Sequence, residues 1–225
     1  MKYFLYSLIF ILGACIISFL KVIAYDYPQI SFTRRSHCDY CGRILRWFEI
    51  IPIIGYFIVH GKCSQCKNQI DFQNPFWEFI GGVIWLIIVH SGAWYYLPIF
   101  VMLVLLSFTD GFFGYIYPIF YLISLPSLIW LLPNLHIITG LSVYIVLWLL
   151  AQNHPLGLGD VEIIAVLSLL FNLQTILSIV LLACFFCLLA FAVNKKRSFR
   201  FIPYLTVATG IIYLIFQLKP WQNLS

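Results

Sequence analysis

Long apolar runs, one after another with only short polar breaks, constrain this chain more than any other feature. Runs of about 17 to 22 residues match the length a helix needs to cross the hydrocarbon core of a bilayer. Reading for them gives eight candidate helices, near 3–24, 76–91, 94–109, 114–132, 135–151, 161–172, 174–193 and 201–218. Turns such as His90-Ser91-Gly92, Pro133-Asn134 and Asn172-Leu173-Gln174 separate them. The runs are continuously apolar rather than alternating, which predicts helices and not a barrel. Composition agrees: 63% of residues are hydrophobic and 9% charged, where a soluble domain carries about a quarter charged. Soluble globular, disordered and fibrous classes are therefore excluded. The expected fold is an all-α polytopic membrane protein of about eight transmembrane helices, with a small zinc-ribbon-like insert between the first two. The expected division is a first transmembrane helix over 1–24, a metal-binding insert over 25–75, and a seven-helix region over 76–225. The run Phe4–Ala24 is long enough to span and no Ala-x-Ala site follows it, so it reads as a retained helix rather than a cleaved signal.

Basic residues set the expected orientation. Lys21, six Lys/Arg of segment 25–75 (Arg34, Arg35, Arg43, Arg46, Lys62 and Lys67) and four of loop 194–200 (Lys195, Lys196, Arg197 and Arg200) fall on one side of an eight-span arrangement. Only Lys2 and Lys219 fall on the other. The positive-inside rule then makes the insert cytoplasmic. The net charge of +5 reads as this topology signal and attraction to an anionic leaflet, not as a nucleic-acid footprint. Trp77, Trp94, Tyr95, Tyr96, Trp130 and Trp221 suit the membrane interface.

The insert carries His37-Cys38-Asp39-Tyr40-Cys41-Gly42 and Gly61-Lys62-Cys63-Ser64-Gln65-Cys66-Lys67. Each CxxC can place two thiolates on one tight turn, and two such knuckles complete a tetrahedral four-sulfur zinc site. Cys38, Cys41, Cys63 and Cys66 are thus the expected metal ligands, with Gly42 and Gly61 suiting the turns. Arg43, Lys62 and Lys67 would offset the negative charge of such a site. About 50 residues between two membrane helices cannot build a self-sufficient core, so a metal staple makes physical sense. A redox dithiol is the other reading of the pairs. His37 is surplus to four ligands. Cys184 and Cys187 repeat the spacing inside an apolar run and, with Cys15, read as small packing residues.

An ionised Asp near the bilayer centre costs about 2.5 to 3.5 kcal/mol, and intramembrane carboxylates usually mark function. Asp26, Asp39, Glu49 and Asp71 lie in the insert, and Glu78 opens the second span. Asp110, at the end of the third span in Ser107-Phe108-Thr109-Asp110-Gly111, and Asp160, at the start of the sixth in Gly157-Leu158-Gly159-Asp160, fall at matching depth. A helix-end Asp also reads as a cap or a snorkelling residue. Two carboxylates at close range cannot both ionise easily, so one can activate water while the other protonates a carbonyl. Gly157 and Gly159 would let an extended peptide approach closely.

Taken together, these segments resemble the type IV prepilin peptidase family, including the competence-type enzymes of Gram-positive bacteria, over nearly the whole chain. Gly13-Ala14-Cys15-Ile16-Ile17-Ser18-Phe19-Leu20 is similar to the family's opening. Arg46 through Tyr56, leading into Gly61 to Cys66, is similar to the linker and second knuckle of its zinc domain. Asn74-Pro75-Phe76-Trp77-Glu78 resembles the segment carrying the family's Glu. Thr109-Asp110 resembles the first catalytic Asp, and Gly157-Leu158-Gly159-Asp160 the second, in the GxGD motif. The resemblance implies catalytic Asp110 and Asp160, supported by Gly157, Gly159 and Glu78. It implies an aspartic endopeptidase of the bacterial cytoplasmic membrane, multi-pass and with its site facing the cytoplasm. Such an enzyme removes the short basic leader of prepilin or pseudopilin substrates next to a Gly, then methylates the new N-terminus with S-adenosylmethionine. Structural Zn2+ and S-adenosylmethionine are the implied cofactors. Lys21 stands where the family has Asn, Asp26 where it often has Arg, and Glu162 where it has Lys. The family's Ile/Leu-Pro-Asp element is present only as Ile116-Tyr117-Pro118, shifted by one.

The competing class is a proton-coupled transporter with a regulatory zinc ribbon, in which Asp110 and Asp160 would be relay carboxylates. A third class is a non-enzymatic scaffold, which predicts full function after Asp160→Asn.

Overall fold

The apolar runs fold into helices. The structure is a computed structural model that describes residues 2–30, 35–153, 156–194 and 200–218. Arg34, Lys195, Lys196, Arg197, Lys219 and Trp221, used in the sequence reading, lie outside the described residues. Among the described residues there is no strand, only isolated antiparallel bridges between His37 and Ile44 and between Lys62 and Gln69. The chain divides into two compact units, Met1–Trp94 and Tyr95–Ser225.

In the first unit, helix α1 (Lys2–Asp26) packs against α3 (Gln73–His90), and short α2 (Ile54–Ile58) lies in the insert between them. Small residues set how closely α1 and α3 approach. A Cβ on Gly13 would stand 2.5 Å from Trp85 Cβ, one on Gly82 would meet Phe10, and one on Gly81 would run into Ile17. This is the close, glycine-lined contact that membrane helices use when no hydrophobic force drives them together.

The second unit holds α4 (Leu97–Phe113), α5 (Leu125–Trp130), α6 (Ile137–Asn153), α7 (Leu158–Leu170), α8 (Leu173–Asn194) and α9 (Phe201–Leu218). α4 packs on α9, α9 on α8, and α6 on α7. The buried core is Met102, Leu103 and Leu106 of α4, Ile163 and Leu167 of α7, Ile179 of α8, and Ile202 and Leu205 of α9. Asn172 caps α8, its Oδ1 accepting from the Thr175 N–H at 2.9 Å and the Thr175 hydroxyl at 2.7 Å. α6 buries only Gly140 and exposes Leu141, Val146 and Leu150 among others, as a helix facing lipid would.

Among the described residues three helices are long and apolar enough to cross a membrane: Lys2–Asp26, Trp94–Phe113 and Leu173–Val193. Ile137–Asn153 and Phe201–Ile215 are apolar but shorter, and α7, with 13 residues, rises only about 20 Å. The run expected as one helix over 114–132 is broken. Gly114 ends α4 in the left-handed conformation at φ 67, Pro118–Ser124 forms a 3-10 segment, and α5 starts afresh with Pro126 in its first turn. Proline lacks the N–H a continuous helix needs, which is why hydrophobicity alone overstated this element. Cys184 and Cys15 are exposed rather than core, while Cys187 is half-buried.

Candidate functional site

The insert builds two matching knuckles. In the first, the Cys38 N–H donates to the Arg43 carbonyl and the Gly42 N–H to the Cys38 carbonyl, both at 2.9 Å. In the second, the Cys63 N–H donates to the Asn68 carbonyl at 2.9 Å and the Lys67 N–H to the Cys63 carbonyl at 3.0 Å. The residue after each CxxC is left-handed: Gly42 at φ 68 and Lys67 at φ 61. Gly61 (φ 65) is therefore not the counterpart of Gly42. It precedes the second knuckle and leaves room for Tyr56, whose hydroxyl would lie 2.7 Å from a Cβ there.

The knuckles bring all four sulfurs within 4.8 Å of one another. Cys38 and Cys66 sulfurs are 3.8 Å apart and those of Cys41 and Cys63 4.0 Å. A tetrahedral ion with metal–sulfur bonds of about 2.3 Å needs sulfur–sulfur edges of about 3.8 Å. The residues fit, and the cluster can hold a metal. His37 stays outside it, its Nδ1 3.4 Å from the Arg35 carbonyl. The N–H groups of Cys66 and Gln65 hold the Cys63 thiol down at about 6 despite its burial, which favours its thiolate form. The Asn68 N–H favours the Cys66 thiolate too, but burial and the neighbouring sulfurs outweigh it and push that thiol up to about 11.

A buried ionic network joins the knuckles. The Glu49 side chain is 4% exposed. It accepts from Arg43 Nη2 at both oxygens at 2.8 Å, from the Ser64 hydroxyl at 2.7 Å and from the Arg46 N–H at 2.7 Å. Burial works against the Glu49 charge, but these donors together outweigh it and hold the carboxyl at about 2. Arg43 follows the first knuckle, Ser64 lies in the second, and Glu49 comes from the linker, so three segments meet on one carboxylate. Sequence reasoning assigned Arg43 to charge balance and gave Glu49 no role.

Glu78, in the first turns of α3, accepts the Ile53 N–H at 2.7 Å. Ile53 is β-branched yet sits at φ 63, ψ −59, a conformation such residues avoid. This hydrogen bond pins the strained turn of the insert to α3. Lys21 of α1 donates to Asn74 Oδ1 at the start of α3, a polar tie between the two helices that flank the insert.

In the second unit Asp110 lies one turn before the end of α4 and is 8% exposed. A carboxylate there opposes the helix dipole of α4. The start of α9 compensates: the Ile202 N–H and the Arg200 guanidinium act on Asp110, and Arg200 also lies beside Gly114, its Nε 3.8 Å from where a Cβ would sit. The Thr206 hydroxyl, donating to the Leu103 carbonyl at 3.2 Å, ties α9 to α4. Asp110 Oδ2 is buried with no hydrogen-bond partner, an arrangement that costs stability. Asp160 is half-buried in the first turn of α7, where the dipole favours an acid. Its N–H donates to the Gly157 carbonyl at 3.1 Å. Asp110 and Asp160 lie within electrostatic reach of each other.

Both glycines before Asp160 have close neighbours within the protein. A Cβ on Gly159 would collide with Ile116, and one on Gly157 would lie 3.0 Å from Asp160 Oδ2. Ile116 follows α4, so its seat on Gly159 holds the segment after Asp110 against the start of α7. Ile116, Arg200 and the Ile202 N–H are the site components that sequence reasoning passed over. Arg200 was visible only as one of a run of basic residues.

Known proteins match the chain over most of its length. Residues 11–91 match the model of the bacterial peptidase A24 N-terminal domain, and residues 97–193 match that of the type IV leader peptidase family. Among curated proteins, a prepilin leader peptidase/N-methyltransferase of Neisseria gonorrhoeae is 28% identical over 204 residues, covering 79% of this chain and 70% of the relative. The protein of that name in Myxococcus xanthus is 31% identical over 109 residues, covering 45% of this chain and 32% of the relative. The one in Bacillus subtilis is 34% identical over 76 residues, covering 33% and 31%. The match thus spans about a third of two of these relatives. No solved structure matches. The chain belongs to the type IV prepilin peptidase family.

Proposed function

We propose that this chain is a prepilin leader peptidase in which Asp110 and Asp160 are the catalytic pair. The observation that carries the reading is the buried Asp110 carboxylate, with a free Oδ2, within electrostatic reach of Asp160. One carboxylate takes a proton from a water molecule as that water attacks the scissile carbonyl. The other, protonated, donates to the carbonyl oxygen. The Ile202 N–H and the nearby Arg200 charge favour the Asp110 carboxylate, and Oδ2 is left without a partner for water or substrate to supply. Gly157 and Gly159 act as positioning residues by letting Ile116 and the Asp160 carboxyl settle where they do.

The chain crosses the bacterial cytoplasmic membrane eight times, with segment 25–75 and both aspartates at the cytoplasmic face. What supports this is the clustering of basic residues together with the apolar helices. Prepilin or pseudopilin substrates present a basic leader on that face, with the cleaved bond where their helix enters the bilayer. Zn2+ occupies the four-cysteine cluster in a structural role, held by Cys38, Cys41, Cys63 and Cys66 and buttressed by Arg43 and Glu49. When bound it folds the insert and polarises no substrate. The relatives' N-methyltransferase names, together with the insert, support S-adenosylmethionine-dependent methylation of the new N-terminus as a second activity. The test is co-expression with a prepilin-like substrate, followed by gel and mass analysis of the product. Leader loss next to Gly supports the peptidase, and an added methyl group supports the second activity. An intact substrate beside abundant membrane-inserted protein would contradict both.

A further inference from the structure

The metal-binding insert carries more apolar surface than its small core uses. Between Ile44 and Ile58 six large apolar side chains are exposed: Ile44, Trp47, Ile50, Ile54, Phe57 and Ile58. Trp47 is 78% exposed and Phe57 60%. Single apolar residues on a surface are ordinary, but this density within one short stretch is that of a contact surface. The packing of α2 turns them outward. Gly55 sits on the 3-10 turn at Trp47–Glu49, where a Cβ would come 2.5 Å from the Glu49 carbonyl oxygen. Ile54, Phe57 and Ile58, spaced by three and four residues, form one stripe on another side of α2.

That stripe is held level with the first turns of α3. The Ile53 N–H, immediately before α2, donates to Glu78 at 2.7 Å. Tyr56 of α2 meets the Phe72 ring edge-on, with centroids 5.9 Å apart, just before α3 begins. Glu78 lies about 8 Å along α3 from Gln73, next to Trp77, a residue type that favours the membrane interface. The bond from Lys21 to Asn74 joins the last turns of α1 to the same level. A five-residue helix tied there has the bilayer surface for a neighbour.

The charge on the stretch matches such a neighbour. From 44 to 62 the only acidic residue is Glu49, and its side chain is buried on Arg43. Arg46 and Lys62 are exposed. The outward surface is thus apolar and cationic without an exposed acid, the composition of segments that lie in the headgroup region of an anionic leaflet. An apolar partner helix would cover the stripe as well, but the bilayer is within reach of a segment whose two ends both enter it.

We infer that the insert docks on the anionic cytoplasmic surface of the bilayer, with Ile54, Phe57 and Ile58 among the upper acyl chains, Trp47 at headgroup level, and Arg46 and Lys62 against lipid phosphates. Arg35 and Lys67 lie outside this stretch and stay in water. The inference rests on the reading of α1 and α3 as membrane crossings and is independent of the cleavage chemistry. It gives the insert a lipid support beside its metal.

The test places a benzophenone amino acid at position 57, or at 54, of the full-length protein. A probe at Leu12, exposed midway along α1, marks the bilayer interior. Each protein is irradiated in nanodiscs of phosphatidylcholine alone or of an equimolar mixture with phosphatidylglycerol, and the adducts are identified by mass. Phospholipid adducts are expected at all three positions. At 54 and 57 the yield should be roughly fivefold higher in the mixed discs, the scale of one basic residue at an anionic surface. Arg46→Gln together with Lys62→Gln should erase that difference. Adducts at Leu12 but at neither insert position would overturn the inference and leave the membrane and cleavage readings standing. So would equal yields in the two lipids, or adducts at 54 and 57 only with a second copy of the chain or with an added prepilin-like substrate. No lipid adduct at Leu12 would remove the membrane reading, and the inference with it.

Discussion

A single buried carboxylate organises each half of the chemistry. Glu49 gathers the two knuckles and the linker, and its donors hold it at about 2, below the usual Glu range of about 4.3. A depressed folded-state value means the network's contribution is fully present above about pH 4.5 and fades as pH falls towards 2. Glu49→Gln should therefore weaken metal retention at neutral pH. The difference from wild type should shrink steadily as the solution is acidified from about pH 4.5. Metal release to a chromogenic chelator, followed against pH, reads this directly. Asp110 is the other case. Its acid type and place at the end of an apolar run could be read from sequence, because intramembrane acids are rare. Its environment could not: Arg200 and the Ile202 N–H come from a helix some ninety residues away, and no local pattern encodes that packing. Lys67 was hidden for a similar reason. A left-handed lysine leaves no mark in the sequence, whereas Gly42 does.

Among the elements, the knuckles were the most legible, since each CxxC closes its turn locally. A bound metal would supply much of their stability, because α2, a 3-10 turn at Trp47–Glu49 and two isolated bridges are all the regular structure between α1 and α3 among the described residues. Chelation should loosen the insert while leaving α1 and α3 helical, seen as rapid amide exchange confined to residues 35–72. Cys63→Ser should do the same without chelator. The segment after α4 was the least legible, because hydrophobicity is blind to where Pro118 and Pro126 break a helix. That break sets Ile116 against Gly159. Gly159→Ala should push Ile116 away and cost about 10²-fold in cleavage rate, the scale of a misplacement of about 1 Å. Ile116→Ala in the same chain should recover much of the loss. No recovery would mean that Gly159 acts by some other route than seating Ile116.

At the scale of the molecule, membrane character followed from composition, yet among the described residues only three helices are long and apolar enough to cross a membrane. The further crossings proposed above would rest on shorter helices, whose ends depend on prolines, glycines and caps that a hydropathy reading averages away. The orientation has its own test. Arg35, Arg46, Lys62 and Lys67 are exposed in the insert, so trypsin should cut there in inside-out vesicles and leave the insert intact in spheroplasts. Cutting in spheroplasts with protection in inside-out vesicles would reverse the topology. The central claim, that Asp110 and Asp160 work as a pair on a prepilin leader, is tested most directly by single-turnover cleavage with purified wild type, Asp110→Asn and Asp160→Asn at matched abundance and folding. Loss of either carboxylate should slow cleavage by roughly 10²- to 10⁴-fold, the range of general acid–base catalysis, and the double variant should be little slower than either single one. Cleavage at the wild-type rate by either single variant would contradict the paired-carboxylate account.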